Sequence, residues 1–222
     1  MESRKEHWEI VYATTQPHEV SWTQELPKTS LDFVHSFNLP KTASIIDIGG
    51  GDSKLVDCLL HEGFENISVL DISEKAIERA KQRLGDQAAR VKWIVCDVTE
   101  FHPSTLYDCW HDRATFHFLT KADEMNTYLC TAREVVKGFM VIGTFSDNGP
   151  KKCSMLEVHR YTEKELQGQL EHGFEKIKCV TEDHITPFNT TQNYLFCSFK
   201  RVEEKVASVG LAQTTTTGVK EQ

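Results

Sequence analysis

Residues 44–54 read Ser44-Ile45-Ile46-Asp47-Ile48-Gly49-Gly50-Gly51-Asp52-Ser53-Lys54, and Leu55-Val56-Asp57-Cys58-Leu59-Leu60 follows. An apolar run broken once by Asp47 and closed by three glycines predicts a buried strand and a tight turn. The spacing of Leu55, Val56, Leu59 and Leu60 predicts a helix over 53–62. Glycine in such a turn lets a ligand approach the backbone closely and permits positive φ. The unpaired N–H groups where the helix starts offer a place for an anionic group. A second apolar run holds Ile67, Val69 and Leu70 and ends in Asp71, 20 residues after Gly51. An acid at that distance, at the end of the next strand, suits the two hydroxyls of a ribose.

The glycine spacing selects among nucleotides. A dinucleotide fingerprint requires a third glycine where this chain has Lys54, whose side chain would crowd the helix–strand packing. The stretch instead resembles motif I of class I S-adenosylmethionine-dependent methyltransferases, Asp-x-Gly-x-Gly-x-Gly, through Asp47, Gly49 and Gly51, with Gly50 between the two glycines. Ser53, a common helix N-cap residue, stands in place of the last glycine. Asp71 and the run Val95-Cys96-Asp97-Val98 supply the next two strand ends in the family's order.

The resemblance is to the broad methyltransferase type 11/12 domain family. It implies an α/β, Rossmann-like fold: a seven-stranded mostly parallel sheet with an antiparallel C-terminal hairpin and helices on both faces. It implies S-adenosyl-L-methionine as cofactor and S-adenosyl-L-homocysteine as product. Asp71 is then expected on the ribose with Ile72 against the adenine, Asp97 at the adenine amino group with Val98 on the base, and Asp47 orienting the glycine loop or the methionine amine. For Asp97, capping the turn before Thr99 is an equal alternative. The implied activity is methyl transfer to a small-molecule or protein acceptor, a lysine side chain included. A non-catalytic cofactor-binding scaffold and an NAD(P)-dependent oxidoreductase are the alternatives.

Element order agrees with that fold. Strands are expected at 44–48, 67–71, 91–96, 107–111 and 139–145, with helices at 53–62, 73–84 and 121–136 between them, the alternation of a parallel sheet. Thr162 and Glu165 form a capping box that opens a further helix. The apolar runs 174–180 and 193–199, separated by turn residues Pro187 and Asn189, read as an antiparallel pair. Residues 1–40 form an N-terminal helical lid, 41–202 the methyltransferase domain, and the polar 203–222, with Thr214 to Thr217 in a row, a disordered tail.

Trp8 and Tyr12 share a helix face at i, i+4. With Trp22 they either close over the cofactor or staple the sheet. The run Cys109-Trp110-His111-Asp112-Arg113-Ala114-Thr115-Phe116-His117-Phe118 ends the fourth strand, where polar residues meet a ligand crevice. His111 and Asp112 are candidate catalytic residues that position a nucleophile or take its proton, and His111 also belongs to the cofactor wall. Against this, Asp112 and Arg113 read equally as a structural ion pair and His117 as a core histidine. The polar 146–154 loop is placed at the acceptor side, with Cys153 an unreactive loop thiol.

Charge and composition bound the partners. With 25 basic and 33 acidic residues the net charge is −8, which disfavours nonspecific nucleic-acid binding. No stretch approaches a membrane span and the N-terminus has no apolar signal core, so a cytoplasmic address is the default. None of the seven cysteines has C-x-x-C spacing, and Cys58, Cys96, Cys109, Cys179 and Cys197, within apolar runs, read as reduced small hydrophobes, with neither a disulfide framework nor a metal site. The expected state is a monomer or weak dimer.

Overall fold

The computed structural model describes residues 3–203. The elements are α1 (Arg4–Thr14), α2 (Lys28–Ser36), β1 (Ser44–Ile48), α3 (Leu55–His61), β2 (Asn66–Asp71), α4 (Glu74–Leu84), β3 (Val91–Val95) and β4 (Tyr107–Arg113). They continue with α5 (Ala122–Val135), β5 (Val136–Phe145), β6 (Lys152–Cys153), β7 (Leu156–Glu157), α6 (Glu163–Leu170), β8 (Phe174–Ile185) and β9 (Thr191–Arg201). Seven strands form one sheet in the order β3-β2-β1-β4-β5-β9-β8. The first five are parallel, and β9 lies antiparallel between β5 and β8. Strands β6 and β7 make a small separate hairpin. This is the expected architecture, a Rossmann-like sheet with an inserted antiparallel last strand.

The alternation of side chains along each strand divides the apolar residues between two cores. Ile46, Ile48, Trp110, Met140 and Ile142 pack with Tyr128 and Leu129 of α5 and with Leu166 and Leu170 of α6. Ile45, Ile67, Val69 and Cys109 pack on the other face with α2, α3 and α4 through Leu31, Leu55, Leu59 and Ile77. Both faces are therefore covered, as a parallel sheet of near-continuous Ile, Val and Leu requires.

Local capping explains where helices start. Ser3 and Glu6 form a reciprocal cap on α1, Ser73 caps α4 at Ala76 N, and Thr162 and Glu165 form the expected box on α6. Helix α3 begins at Leu55, two residues later than expected, because Gly51 to Lys54 are used in the turn; Ser53 Oγ accepts from Leu55 N (3.1 Å). The fourth strand runs on to Arg113, so all of His111, Asp112 and Arg113 obey strand alternation.

One expectation is corrected. Cys179 and Cys197 are not separate thiols but a disulfide across β8 and β9. The antiparallel register sets them directly opposite each other, a consequence of pairing that spacing in the sequence does not display. Cys58, Cys96, Cys109, Cys130 and Cys153 are free. Among the described residues no helix is long and apolar enough to cross a membrane, and no group of His, Cys, Asp and Glu could hold a metal ion. The tail expected to be disordered falls, from residue 204 on, outside the described residues.

Candidate active site

The C-terminal ends of β1, β2, β3 and β4 open on a cavity of about 370 Å³, closed from above by α1 and the segment after it. That volume lies within the range of small-ligand sites. The glycine turn forms its floor. Gly49 and Gly51 have φ of +62° and +41°, the left-handed region that glycine enters without strain. Neighbours also exclude a larger residue. A Cβ on Gly49 would stand 1.7 Å from Thr115 Oγ1, one on Gly50 2.6 Å from Asp47 Oδ2, and one on Gly51 2.6 Å from Asp71 Oδ2 and 3.0 Å from the Tyr12 hydroxyl. The turn is thus built so that backbone, acids and lid meet closely.

Asp71 ends β2 and is buried, with Oδ1 accepting from Ser73 N (2.8 Å). Burial, opposed by backbone hydrogen bonds and reinforced by the charges of Asp47 and Glu9, raises its pKa to about 7. A carboxyl so placed is short of donors, and a pair of ligand hydroxyls would supply them.

Asp47 sits on the same face of β1 as Ile45 and faces β4. Its Oδ1 accepts from His111 Nδ1 (2.7 Å), and His111 Nε2 accepts in turn from the Ser30 hydroxyl (2.9 Å). That tautomer follows from the hydrogen-bond network, since the carboxylate can only accept. Asp47 Oδ2 is buried without a partner among the described residues, so the cavity offers an acceptor suited to an ammonium group. Together, Asp71, the open oxygen of Asp47 and the glycine turn fit the ribose and methionine portions of S-adenosylmethionine.

Ile72, just after β2, and Val98, beyond the end of β3, line the cavity. Asp97 does so as well, but its Oδ1 caps the following turn, accepting from Thr99 N (2.9 Å) and Thr99 Oγ1 (2.8 Å), and its Oδ2 pairs with Arg4 (3.3 Å). Capping and cavity position coexist in this residue.

The lid is an aromatic cluster. Trp8 meets Trp22 edge-on at 5.7 Å and Phe118 at 5.2 Å, and Tyr12 meets Trp22 at 6.3 Å. All of Trp8, Tyr12 and Trp22 line the cavity. Helix α1 is latched by Glu9, whose carboxylate accepts from Glu74 N (2.7 Å), Lys75 N (3.1 Å) and Ser73 Oγ (3.1 Å) at the start of α4. An acid there satisfies orphan donors and the helix dipole.

The structure does not bring every candidate to the cavity. Asp112 is fully buried on the opposite face of β4, among the α5 residues, and its oxygens accept from Thr115 N (2.9 Å), Phe116 N (3.1 Å) and Tyr128 OH (2.8 Å). Burial raises its pKa to about 6. It braces the turn after β4 and is out of reach of a substrate. The reading of Asp112 and Arg113 as an ion pair also fails, because strand neighbours point to opposite faces. His111 does line the cavity, but both ring nitrogens are engaged. His117 is the expected core histidine, held neutral by burial with a pKa of about 3.

Arg113, Thr115 and Phe118, all in the run expected at the crevice, line the cavity. Alternation from His111 was the signal for Arg113. Cys153 joins the wall, its thiol pushed up by burial to about 11 and therefore neutral.

Residues 45–138 match the family model described as "Methyltransferase domain". Over that stretch the chain is similar to methyltransferase domains. The curated relatives it matches are named as methyltransferases. The chain is 34% identical over 106 residues to the malonyl-[acyl-carrier protein] O-methyltransferase of Anoxybacillus flavithermus, covering 47% of this chain and 39% of that protein. It is 26% identical over 190 residues to EEF1A lysine methyltransferase 2 of Mus musculus, covering 77% and 71%. The match thus spans about two fifths of the first relative's length. The methyltransferase domain superposes on a protein of the conversion of a disulfide bond into a thioacetal group during echinomycin biosynthesis with a TM-score of 0.73 at 16% identity, covering 89% of this chain and 92% of that one. It superposes on the 1,6-didemethyltoxoflavin-N1-methyltransferase of Burkholderia thailandensis, solved with S-adenosylhomocysteine, with a TM-score of 0.63 at 20% identity, covering 87% and 81%. At such identities the structures speak for the fold alone.

Proposed function

We propose that this protein moves the methyl group of S-adenosylmethionine to a small-molecule or protein acceptor. The observation that carries the reading is Asp71: a buried carboxyl, short of donors, beside a glycine turn that admits no other residue. Asp71 accepts from the ribose hydroxyls, Ile72 and Val98 hold the adenine between them with Asp97 at its edge, and Asp47 takes the methionine ammonium. Gly49, Gly50 and Gly51 let the backbone lie against the methionine portion. His111 is a positioning residue, because it fixes the Asp47 carboxylate and has no ring nitrogen free to take a proton.

The bound cofactor supplies a sulfonium methyl, already a strong electrophile. What the chain adds is alignment and exclusion of water. Trp8, Tyr12 and Trp22 provide both by closing over the cavity, and their ring faces favour a nearby cation. No general base on the protein is required by this scheme, and the acceptor's own nucleophile approaches from the β4 side.

Titration calorimetry with S-adenosylmethionine and with NADH tests the reading. Binding of the first and not the second is expected; the reverse overturns it. Assays of methyl transfer to thiols, carboxylic acids and lysine peptides then separate a catalyst from a scaffold that binds cofactor without turnover.

A further inference from the structure

Arg113 is the last residue of β4 and lines the cavity on the acceptor side. Its Nη1 donates to the carbonyl of Trp22 (2.9 Å), and its guanidinium lies 4.8 Å above the Tyr194 ring. Its Nε and Nη2 are buried and have no acceptor among the described residues. Those two nitrogens are the side-on edge of the guanidinium, whose parallel N–H bonds match the two oxygens of a carboxylate. Of the other cations lining the cavity, Arg4, Lys54 and Arg83 each sit in an ion pair with a carboxylate, and Arg79 donates to the Thr15 carbonyl and lies over the Tyr12 ring; only Arg113 leaves two buried N–H groups without an acceptor among the described residues. Leaving charged donors buried and unpaired is costly, so this edge is built for a partner.

The nearest candidate within the chain is Glu182, opposite Tyr194 in the β8–β9 register. It lies beyond 4.0 Å from the guanidinium; its Oε1 accepts from Gln24 Nε2 (3.1 Å), while its Oε2 is buried without a partner among the described residues. The other groups around Arg113 are neutral: His117 by burial, and His184, whose pKa is likewise lowered by burial and whose Nε2 meets the Ser21 carbonyl (2.7 Å). The adjoining wall is apolar, with Trp22 and Phe118. Arg113 and Asp71 stand on strands separated by β1, roughly 9–10 Å of sheet. That interval holds the glycine turn and leaves the β4 end for a second molecule.

We propose that the methyl acceptor is a small carboxylic acid with an apolar or aromatic body, and that its carboxylate is bound side-on by Arg113. This deepens the methyltransferase reading and rests on it. Arg113 is then a specificity-determining residue of the acceptor site, and takes no part in holding the cofactor. The neutral amide of the same acid would bring an N–H₂ toward donors and leave the guanidinium charge unanswered.

The test uses the protein saturated with S-adenosylhomocysteine, with phenylacetate, 3-phenylpropionate and phenylacetamide as probes, followed by calorimetry or ligand-observed NMR. The two acids are expected to bind roughly 10- to 150-fold tighter than the amide, the range for a charge-assisted hydrogen bond. Arg113→Gln should remove that preference while S-adenosylhomocysteine binds within about threefold of wild type. Arg113→Lys, which keeps the charge and loses the fork, should retain part of it. If Arg113→Gln does not fold, the comparison of wild type with Arg113→Lys decides. Equal binding of acid and amide in wild type, or no binding of either acid at millimolar concentration, overturns the proposal and means that Glu182 or the lid satisfies the guanidinium. Failure of S-adenosylhomocysteine itself to bind would instead count against the methyltransferase reading, whatever Arg113 does.

Discussion

Replacing Asp71 by Asn separates what this residue costs the fold from what it gives the ligand. In the folded protein burial lifts its pKa from 3.8 to about 7. At 1.36 kcal/mol per pKa unit, that rise sets a ceiling of about 4 kcal/mol on the penalty for keeping the carboxylate ionised at neutral pH. Asparagine is isosteric, can keep the hydrogen bond from Ser73 N, and carries no such penalty. Even a quarter of the ceiling, about 1 kcal/mol, raises Tm by roughly 2–4 °C in a chain of this size. The ligand effect has the opposite sign. Exchanging a charged acceptor for a neutral one at two hydroxyls costs about 1.5–3 kcal/mol, or roughly 10- to 150-fold in affinity. Between pH 3.8 and about 7 the folded apo protein holds a proton that the unfolded chain has released, so this group lowers stability as pH rises across that window. Cofactor affinity should rise over pH 6 to 8, because the hydroxyls favour the ionised form, and Asp71→Asn should flatten that rise. Scanning calorimetry and titration with S-adenosylhomocysteine at both ends of the range provide the readout. An Asn variant with wild-type affinity, wild-type Tm and an unchanged pH profile would show that Asp71 is neither strained nor in contact with the ribose.

Three other outcomes are expected. Asp112→Ala leaves Thr115 N, Phe116 N and Tyr128 OH without their acceptor and should cost about 2–4 kcal/mol of stability in urea, with cofactor affinity of the folded fraction unchanged; a stable variant with lost binding would return Asp112 to the site. Gly49→Ala forces a Cβ against Thr115 Oγ1 at positive φ, so the turn should shift and Tm fall along with cofactor affinity, and an unperturbed Tm would show the turn to be pliable. Glu9→Ala removes the latch at the α4 N-terminus, worth about 0.5–2 kcal/mol as a cap; faster S-adenosylhomocysteine dissociation in stopped flow is expected, and an unchanged rate would mean that α1 does not gate the cavity.

The sheet and the glycine-turn wall of the cavity were legible because their signals are local. Ile45 to Ile48 followed by three glycines, the acid ending the next strand, and the i, i+4 pair Trp8 and Tyr12 each declare themselves within a dozen residues. Features that depend on register or on the facing side of a strand were not legible. Cys179 and Cys197 lie 18 residues apart and become partners only when β8 and β9 are aligned. Asp112 looked catalytic because it follows His111, yet alternation on β4 sends it into the α5 core and sends Arg113 to the cavity. His111 was rightly placed at the wall, but its two partners come from α2 and β1, 81 and 64 residues away, and they leave it no free nitrogen. Adjacency in sequence suggested a shared role where the pleat enforces opposite ones.

The charges of the cavity are themselves ordered, and that order bears on the direction of attack. Asp47 and Asp71 lie under the glycine turn, with Glu9 close enough to raise the pKa of Asp71; Arg113 stands alone at the β4 end. A cofactor whose methionine end carries an ammonium and a sulfonium beside one carboxylate brings net positive charge to the acids, and a second anion is disfavoured there. If the acceptor is the acid proposed above, the two substrates are sorted before the lid closes, each at the end that matches its charge. The sorting is electrostatic and acts in a buried space, where added salt screens little. Raising the ionic strength from 50 to 500 mM should therefore slow encounter and leave the preference for phenylacetate over phenylacetamide largely intact. A preference that collapses at 500 mM salt would place the carboxylate on the exposed rim, beside an unburied cation, and not at Arg113.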